Sequence, residues 1–260
     1  MTVTTHTDRL PDRIAVIADV HGNSDALRAV MADVSAQEAG ALLVLGDHFS
    51  GPLDAAGTAT ILLGHRGIPM LALRGNHDRY LLEQTPERMG PSDRVALAAL
   101  DAPAMAWVRA LPAMLDLGDV VACHGVPQDD QTYWMQRVTD AGEVVARPRA
   151  EVEAFAAGIA APLILCAHTH LPGAVRLSGG RLLVNPGSVG CPGYTDDAPV
   201  PHVVQTGTPD AAYAVCDRTR GGWRVTFRQV PYDPGAMVAR AQAEGRDDWA
   251  RAVGTGWIAG

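Results

Sequence analysis

The chain has 260 residues, of which 47% are apolar, 19% charged and 5% aromatic, and it carries a net charge of −8. Such a chain can bury a sizeable core in one large domain, and neither disorder nor a membrane span fits it, because no run approaches the roughly 18 apolar residues that a spanning helix needs. All 21 basic residues are Arg, which excludes lysine Schiff-base chemistry, pyridoxal-phosphate catalysis and P-loop nucleotide hydrolysis, while the acidic balance argues against a stable nucleic-acid complex.

The polar segment Met1 to Asp12 is expected to be flexible, and it lacks the apolar stretch of a secretory signal, so a cytoplasmic protein with no membrane partner is expected. A buried strand is predicted over Ile14–Ala18, followed by a helix whose Leu27, Val30, Met31 and Val34 recur at helical spacing behind an N-cap at Asn23 or Ser24. Next come a strand at Ala41–Leu45, a helix from Asp54 to His65 and a strand at Met70–Leu73. Further strands are predicted at Val120–Cys123, Leu163–Ala167 and Leu182–Val184, with a helix from Arg147 to Phe155 among them. Gly179-Gly180 and Gly221-Gly222 read as hairpin turns, Arg224–Val230 as a half-exposed edge strand, and Asp233 to Val253 as helical with Trp249 as its anchor. Strands alternating with helices imply an α/β fold, and no composition break divides residues 1–260.

The buried strands end in polar residues capable of chemistry. Asp19 and His21, Asp47, Asn76 and His77, His124, and His168 and His170 each follow a strand directly. In open α/β sheets ligands bind outside the carboxyl ends of the strands. Five histidines, two Asp and an Asn at matching positions are hard to reconcile with core packing, where such side chains are rarely buried unpaired. They are ligands of the hard and borderline kind that hold divalent transition metals: Asp19, His21, Asp47, Asn76, His124, His168 and His170 are the candidates. If Asp47 bridges two ions, each ion receives four protein ligands and open positions remain, as in two-metal sites hydrolysing phosphate esters. Two divalent ions, two carboxylates and one hydroxide leave a pocket of about +1 for a phosphate in an otherwise acidic protein.

In these blocks the sequence resembles the calcineurin-like metallophosphoesterases. Asp19-x-His21-Gly22-Asn23, Gly46-Asp47, Gly75-Asn76-His77-Asp78, His124-Gly125 and His168-x-His170 occur in the family's order, and the likeness extends through Asn185-Pro186-Gly187-Ser188-Val189-Gly190 and Tyr232-Asp233. The resemblance implies a four-layer αββα sandwich of two packed mixed sheets. It also implies a dinuclear phosphoesterase acting on small phosphate esters through a metal-activated hydroxide, with diesters favoured. A phosphomonoesterase or a nucleotide or dinucleotide pyrophosphohydrolase is the alternative on the same core. One metal would take Asp19, His21, Asp47 and His170, the other Asp47, Asn76, His124 and His168. Manganese is the first expectation, with iron, zinc or nickel also suited to these ligands. By the same resemblance His77 protonates the leaving oxygen, Asp78 orients it, and Asn23 and Arg79 reach the phosphate. A homo-oligomer is left open.

Several residues carry bland readings beside sharper ones. Cys123 and Cys166 read as small buried hydrophobes, and no C-x-x-C pair suggests a cysteine zinc site. Ser188 sits in an imperfect G-x-S-x-G pattern with Pro186 in place of the first glycine, so a supporting turn outweighs a metal-independent serine hydrolase. His48, Phe49, His202 and the Tyr133-Trp134 pair are candidates for a substrate pocket, with packing as the alternative.

Overall fold

The computed structural model describes residues 3–5 and 9–258. In chain order its elements begin with β1 (Val3–Thr5), β2 (Arg13–Ile17), α1 (Ser24–Ala36), β3 (Ala41–Val44), α2 (Ala55–Gly64) and β4 (Met70–Ala72). Three helices follow, α3 (Asn76–Glu83), α4 (Pro91–Ala99) and α5 (Ala102–Ala110), then β5 (Met114–Asp116) and β6 (Val120–Cys123). The hairpin β7 (Gln136–Val138) and β8 (Val144–Ala146) leads to α6 (Arg149–Phe155), β9 (Leu163–Leu165), β10 (Gly173–Arg176) and β11 (Leu182–Asn185). A second hairpin, β12 (Gly193–Asp196) and β13 (His202–Gln205), precedes β14 (Ala211–Thr219), β15 (Gly222–Val230), α7 (Gly235–Ala243) and α8 (Asp247–Thr255).

One sheet has the order β15-β14-β2-β3-β4 and the other β1-β5-β6-β9-β11-β10. Strand periodicity of two explains why they stack. Ile14 and Val16 of β2 and Leu43 of β3 point between the sheets, where they meet Val120 of β6, Leu163 and Leu165 of β9 and Val184 of β11. The alternate residues Ala15, Ile17, Leu42 and Val44 face outward onto Leu27 and Val30 of α1, Leu62 of α2, Ala96 of α4 and Val108 of α5. On the far side Ile164 and Leu183 pack against Val152 of α6 and Trp134. Helices, sheet, sheet and helix therefore form the four-layer αββα sandwich.

The predicted strands fall where expected, as does α1, whose N-cap Asn23 accepts the Ala26 N–H through its side-chain oxygen at 3.0 Å. Four readings change. Asp54 is the N-cap of α2 and not its first residue. The helix expected from Arg147 begins at Arg149, after Pro148. The segment from Asp233 to Val253 divides into two helices at Gly245, which adopts a φ of +67°. Of the first twelve residues, 1–2 and 6–8 lie outside the described residues, whereas Val3–Thr5 pair in parallel with Met114–Asp116. The interior strand β14 has no counterpart among the predictions. Its Ala-Ala-Tyr-Ala-Val-Cys sequence lacks the Val, Ile and Leu run that marked the others, yet it is buried between β2 and β15.

Candidate metal centre and cleft

β2, β3 and β4 run parallel in one sheet, and β6, β9 and β11 run parallel in the other. Stacking the sheets brings both sets of carboxyl ends to one edge. Asp19 and His21 follow β2, Asp47 follows β3, Asn76 opens α3 after β4, His124 follows β6, and His168 and His170 follow β9. All seven meet there, and all but the partly exposed His168 are buried.

The backbone is bent to aim them. Asp19, His21, Asp47, His168 and His170 have φ between 50° and 69°, and only one other non-glycine residue among those described, Glu38, has a positive φ. Left-handed backbone costs an L-residue about 1 kcal/mol or more and persists only where surrounding contacts hold it. Those contacts are visible. The Asp19, His21 and Gly22 N–H groups donate to the carbonyls of Gly46, Asp47 and His48, lacing the first loop to the second. The Ala167 N–H donates to the His124 carbonyl at 2.7 Å, and the Gly190 N–H to that of Asp19. Gly75 is required by close approach, since a Cβ there would collide with Asp47 Oδ1.

Two groups of three result. The ligand atoms of Asp19, His21 and His170 all lie within 4.8 Å of one another, and so do those of Asp47, His124 and His168. Asp47 Oδ2 lies 3.8 Å from His21 Nε2 and 3.2 Å from His124 Nε2, so it stands between the groups. Asn76 Oδ1 is 3.0 Å from His124 Nε2. Each buried ring is oriented from behind: Nδ1 of His21, His124 and His170 lies 2.7, 2.7 and 2.6 Å from the carbonyls of Ser50, Leu45 and Cys191. Donation from Nδ1 leaves the Nε2 lone pairs facing inward, the tautomer that a cation needs. Both carboxylate oxygens of Asp19 are buried without a hydrogen-bond partner. A buried carboxylate is costly unless it is paired or bound to a metal, so Asp19 among inward-facing imidazoles fits a divalent cation.

The electrostatics of the protein groups agree with this. Burial lowers His21 and His168 to about 4 and depresses His170 too, which keeps three of the rings neutral near pH 7. Burial also opposes a charged His124, but Asp47 outweighs it and raises His124 to about 10. Burial pushes Asp19 up, whereas Asp47, despite its burial, is held down by His124 and His77. The opposed shifts of His124 and Asp47 mark the place in the site where positive charge is most favoured.

Next to the centre, His77 has a partner other than the expected Asp78. It lies on α3, is partly exposed, and its Nδ1 is 2.8 Å from Asp93 Oδ1 on α4 and 3.2 Å from Ser50 Oγ. Burial disfavours its charge, but Asp47 and the Asp93 hydrogen bond prevail and raise it to about 9. The expected orienting residue, Asp78, instead accepts the N–H groups of Gly75, Asp47 and His48 and meets His48 Nδ1 at 2.8 Å. Its carboxylate is consumed in clamping the Asp47 loop to the start of α3. Nothing in the local sequence marked Asp93, because its contact with His77 depends on how α4 packs on α3.

Neither expected phosphate contact reaches the centre. Arg79 is bidentate to Asp130, with both bonds at 2.7 Å. Asn23 is fully buried, capping α1 with its oxygen and donating through Nδ2 to the Gly190 carbonyl and the Tyr232 hydroxyl. Ser188 Oγ donates to the Asp19 carbonyl and accepts the Cys191 N–H, so its hydroxyl is engaged in bracing the turn. His48 and Phe49 are buried against Trp107, away from the cleft. The Tyr133-Trp134 pair divides: Trp134 enters the core, while Tyr133 lines the cleft. His202 stands behind it, its Nε2 3.0 Å from the Tyr133 hydroxyl. Cys123 and Cys166 are buried among apolar residues.

The centre opens into a cavity of about 850 Å³. Its walls include Tyr80, Tyr133, Tyr194 and Trp249, none of which the sequence motifs identified as a cleft residue beyond the alternative kept for Tyr133. Tyr194 packs on His170 with ring centroids 4.7 Å apart, Tyr133 on His168 at 5.2 Å, and Trp249 of α8 on His21 at 5.8 Å.

The family profile described as the calcineurin-like phosphoesterase superfamily domain matches residues 13–205. The chain belongs to that superfamily. No curated protein matches the sequence. Among solved structures, a metallophosphoesterase from Sphaerobacter thermophilus is 23% identical with a TM-score of 0.69, over 96% of this chain and 100% of its own. A hypothetical protein from Pyrococcus horikoshii OT3 is 19% identical with a TM-score of 0.72, over 95% and 99%. At these identities the likeness is one of fold.

Proposed function

We propose that the chain is a dinuclear, metal-dependent phosphoesterase that favours diesters. The observation carrying this reading is the position of Asp47 Oδ2 between His21 Nε2 and His124 Nε2, beside the unpartnered Asp19 carboxylate. Asp19, His21, Asp47 and His170 would hold one cation, and Asp47, Asn76, His124 and His168 the other. Divalent cations bound there supply Lewis acidity toward phosphoryl oxygens and lower the pKa of water. Mixed His, Asp and Asn donors suit manganese, which we place first, and also iron, zinc or nickel.

The chain's own residues do the rest. His77 Nδ1 is engaged by Asp93, which leaves Nε2 available to protonate a leaving-group oxygen. The raised affinity of His77 for its proton keeps the acid form available at neutral pH. Tyr133, Tyr194 and Trp249 pack against ligand histidines and buttress those rings. The diester preference rests on charge: with Arg79 bound to Asp130, no arginine at the centre adds to its small positive balance. A small organic phosphate ester is the substrate class, and the location we propose is the cytoplasm. Hydrolysis of matched aryl mono- and diesters with each metal in turn tests it. A kcat/KM for monoesters a hundredfold above that for diesters would overturn the preference, and full activity after chelator dialysis would overturn the metal mechanism.

A further inference from the structure

The cavity is far larger than one phosphoryl group requires, and its charges are unevenly satisfied. Three arginines line it. Arg147 is bound to Glu151 at 2.9 Å and to the Tyr133 carbonyl, and Arg246 to Asp248 at 2.7 Å and to Ser92 Oγ. Arg137, on β7, is exposed, and its guanidinium has no hydrogen bond or ion pair among the described residues. Of the acidic residues on the distal walls, Glu151 and Asp248 are neutralised by those arginines, and Asp196 accepts the Ala198 N–H.

The backbone that carries Arg137 is tied to the centre. It pairs across the hairpin with Val145 of β8. The Arg147 N–H donates to the Met135 carbonyl at 2.8 Å, and its guanidinium to the Tyr133 carbonyl at 3.0 Å, closing the base of that hairpin. Tyr133 in turn packs on His168 and bonds to His202. A strand that begins three residues after a side chain in contact with the metal centre thus presents an unpaired guanidinium to the cavity. Arginine keeps its charge at any working pH and binds planar or tetrahedral oxyanions with a fork of N–H donors.

We propose that Arg137 forms a distal anion subsite, and that the substrate is a phosphate ester carrying a second oxyanion remote from the one that is cleaved. This rests on the phosphoesterase reading for the site of the first phosphate. The second group can be a phosphate or a carboxylate, and both present the oxygens Arg137 would bind.

Calorimetric titration of the full chain loaded with manganese tests it. The probes are α,ω-alkylene bisphosphonates of graded spacer length, the corresponding phosphonocarboxylates, and alkylphosphonates of equal length. At one spacer length the doubly anionic probe should bind about tenfold more tightly than its alkylphosphonate, the gain expected of one partly solvated charge-assisted contact. Whether the gain is larger with the bisphosphonate or the phosphonocarboxylate identifies the second group. Arg137→Ala should abolish the gain and Arg137→Lys should keep part of it, with melting curves confirming that both variants are folded. Equal binding of mono- and dianionic probes at every length, or a gain that survives Arg137→Ala, overturns the subsite. If the alkylphosphonate itself fails to bind, the phosphoesterase reading falls with it.

Discussion

The metal centre and the cleft wall above it are built by opposite means. At the centre, seven side chains come from strand ends in both sheets, and the backbone adopts left-handed conformations to aim five of them. Imidazole orientation there is fixed by carbonyls of the neighbouring loops at 2.6–2.7 Å. The wall is assembled from the β7–β8 and β12–β13 hairpins and from α8, which contribute aromatic faces and arginine–carboxylate pairs. α8 and its Trp249 lie beyond the residues matched by the family profile. The centre is thus built from local motifs at strand ends, and the wall from segments that pack over them. Rigidity at the centre is affordable because sheet packing over-determines the strand ends.

The comparison predicts a steep gradient of effects. The largest loss is expected at the centre. Asp47→Asn removes the carboxylate shared by the two groups, so elemental analysis should find less than two equivalents of bound metal, and turnover should fall to near background. Two full equivalents in that variant would remove the bridging assignment. His77→Ala comes next. It should keep both metals and the fold while kcat drops by roughly 10²–10⁴-fold, the usual contribution of a positioned general acid. The defect should shrink as the leaving group improves, because less protonation is needed; an emptied metal site would show that His77 is a ligand instead.

Asp93→Asn sharpens the boundary between the regions, since Asp93 belongs to α4 yet acts on the centre through His77. We expect kcat to fall about 10- to 100-fold with KM little changed, the size seen when an orienting partner is lost. The sign of the pH effect follows from the shift: Asp93 helps raise His77 to about 9, so its loss should move the alkaline limb of the rate profile to lower pH. An unmoved limb would detach Asp93 from the acid. The smallest effect belongs far from both regions. Asp33 of α1 holds Arg228 of β15 with bonds of 2.6 and 3.0 Å and accepts the Tyr213 hydroxyl. The Arg228 hydrogen bond keeps the Asp33 carboxyl below its ordinary value, so its stabilisation is present above that value and is lost as pH falls through the lowered one. For this partly exposed pair, Asp33→Asn should cost about 0.5–1 kcal/mol in denaturant titration at pH 7 and less at pH 3, without affecting turnover.

The core strands, the α1 helix with a cap at Asn23 or Ser24, and all seven residues that meet at the sandwich edge could be read from the residues alone. These were legible because each is local: an apolar run states burial on both faces, and the polar residue following it states where the strand emerges. Packing set what lies behind and above them. Asp93 partners His77, Asp78 turns to the Asp47 loop, Arg79 is taken by Asp130, and Asn23 adds donation to the Gly190 carbonyl and the Tyr232 hydroxyl to its cap. Most of these contacts join residues far apart in the chain, so no spacing rule encodes them. β14 escaped notice for a related reason, since its small side chains suit a strand only because β2 and β15 flank it on both edges. Trp249 was visible as an anchor, but its contact with His21 follows from the turn at Gly245 and the packing of α8 across the cleft, which only long-range burial could select.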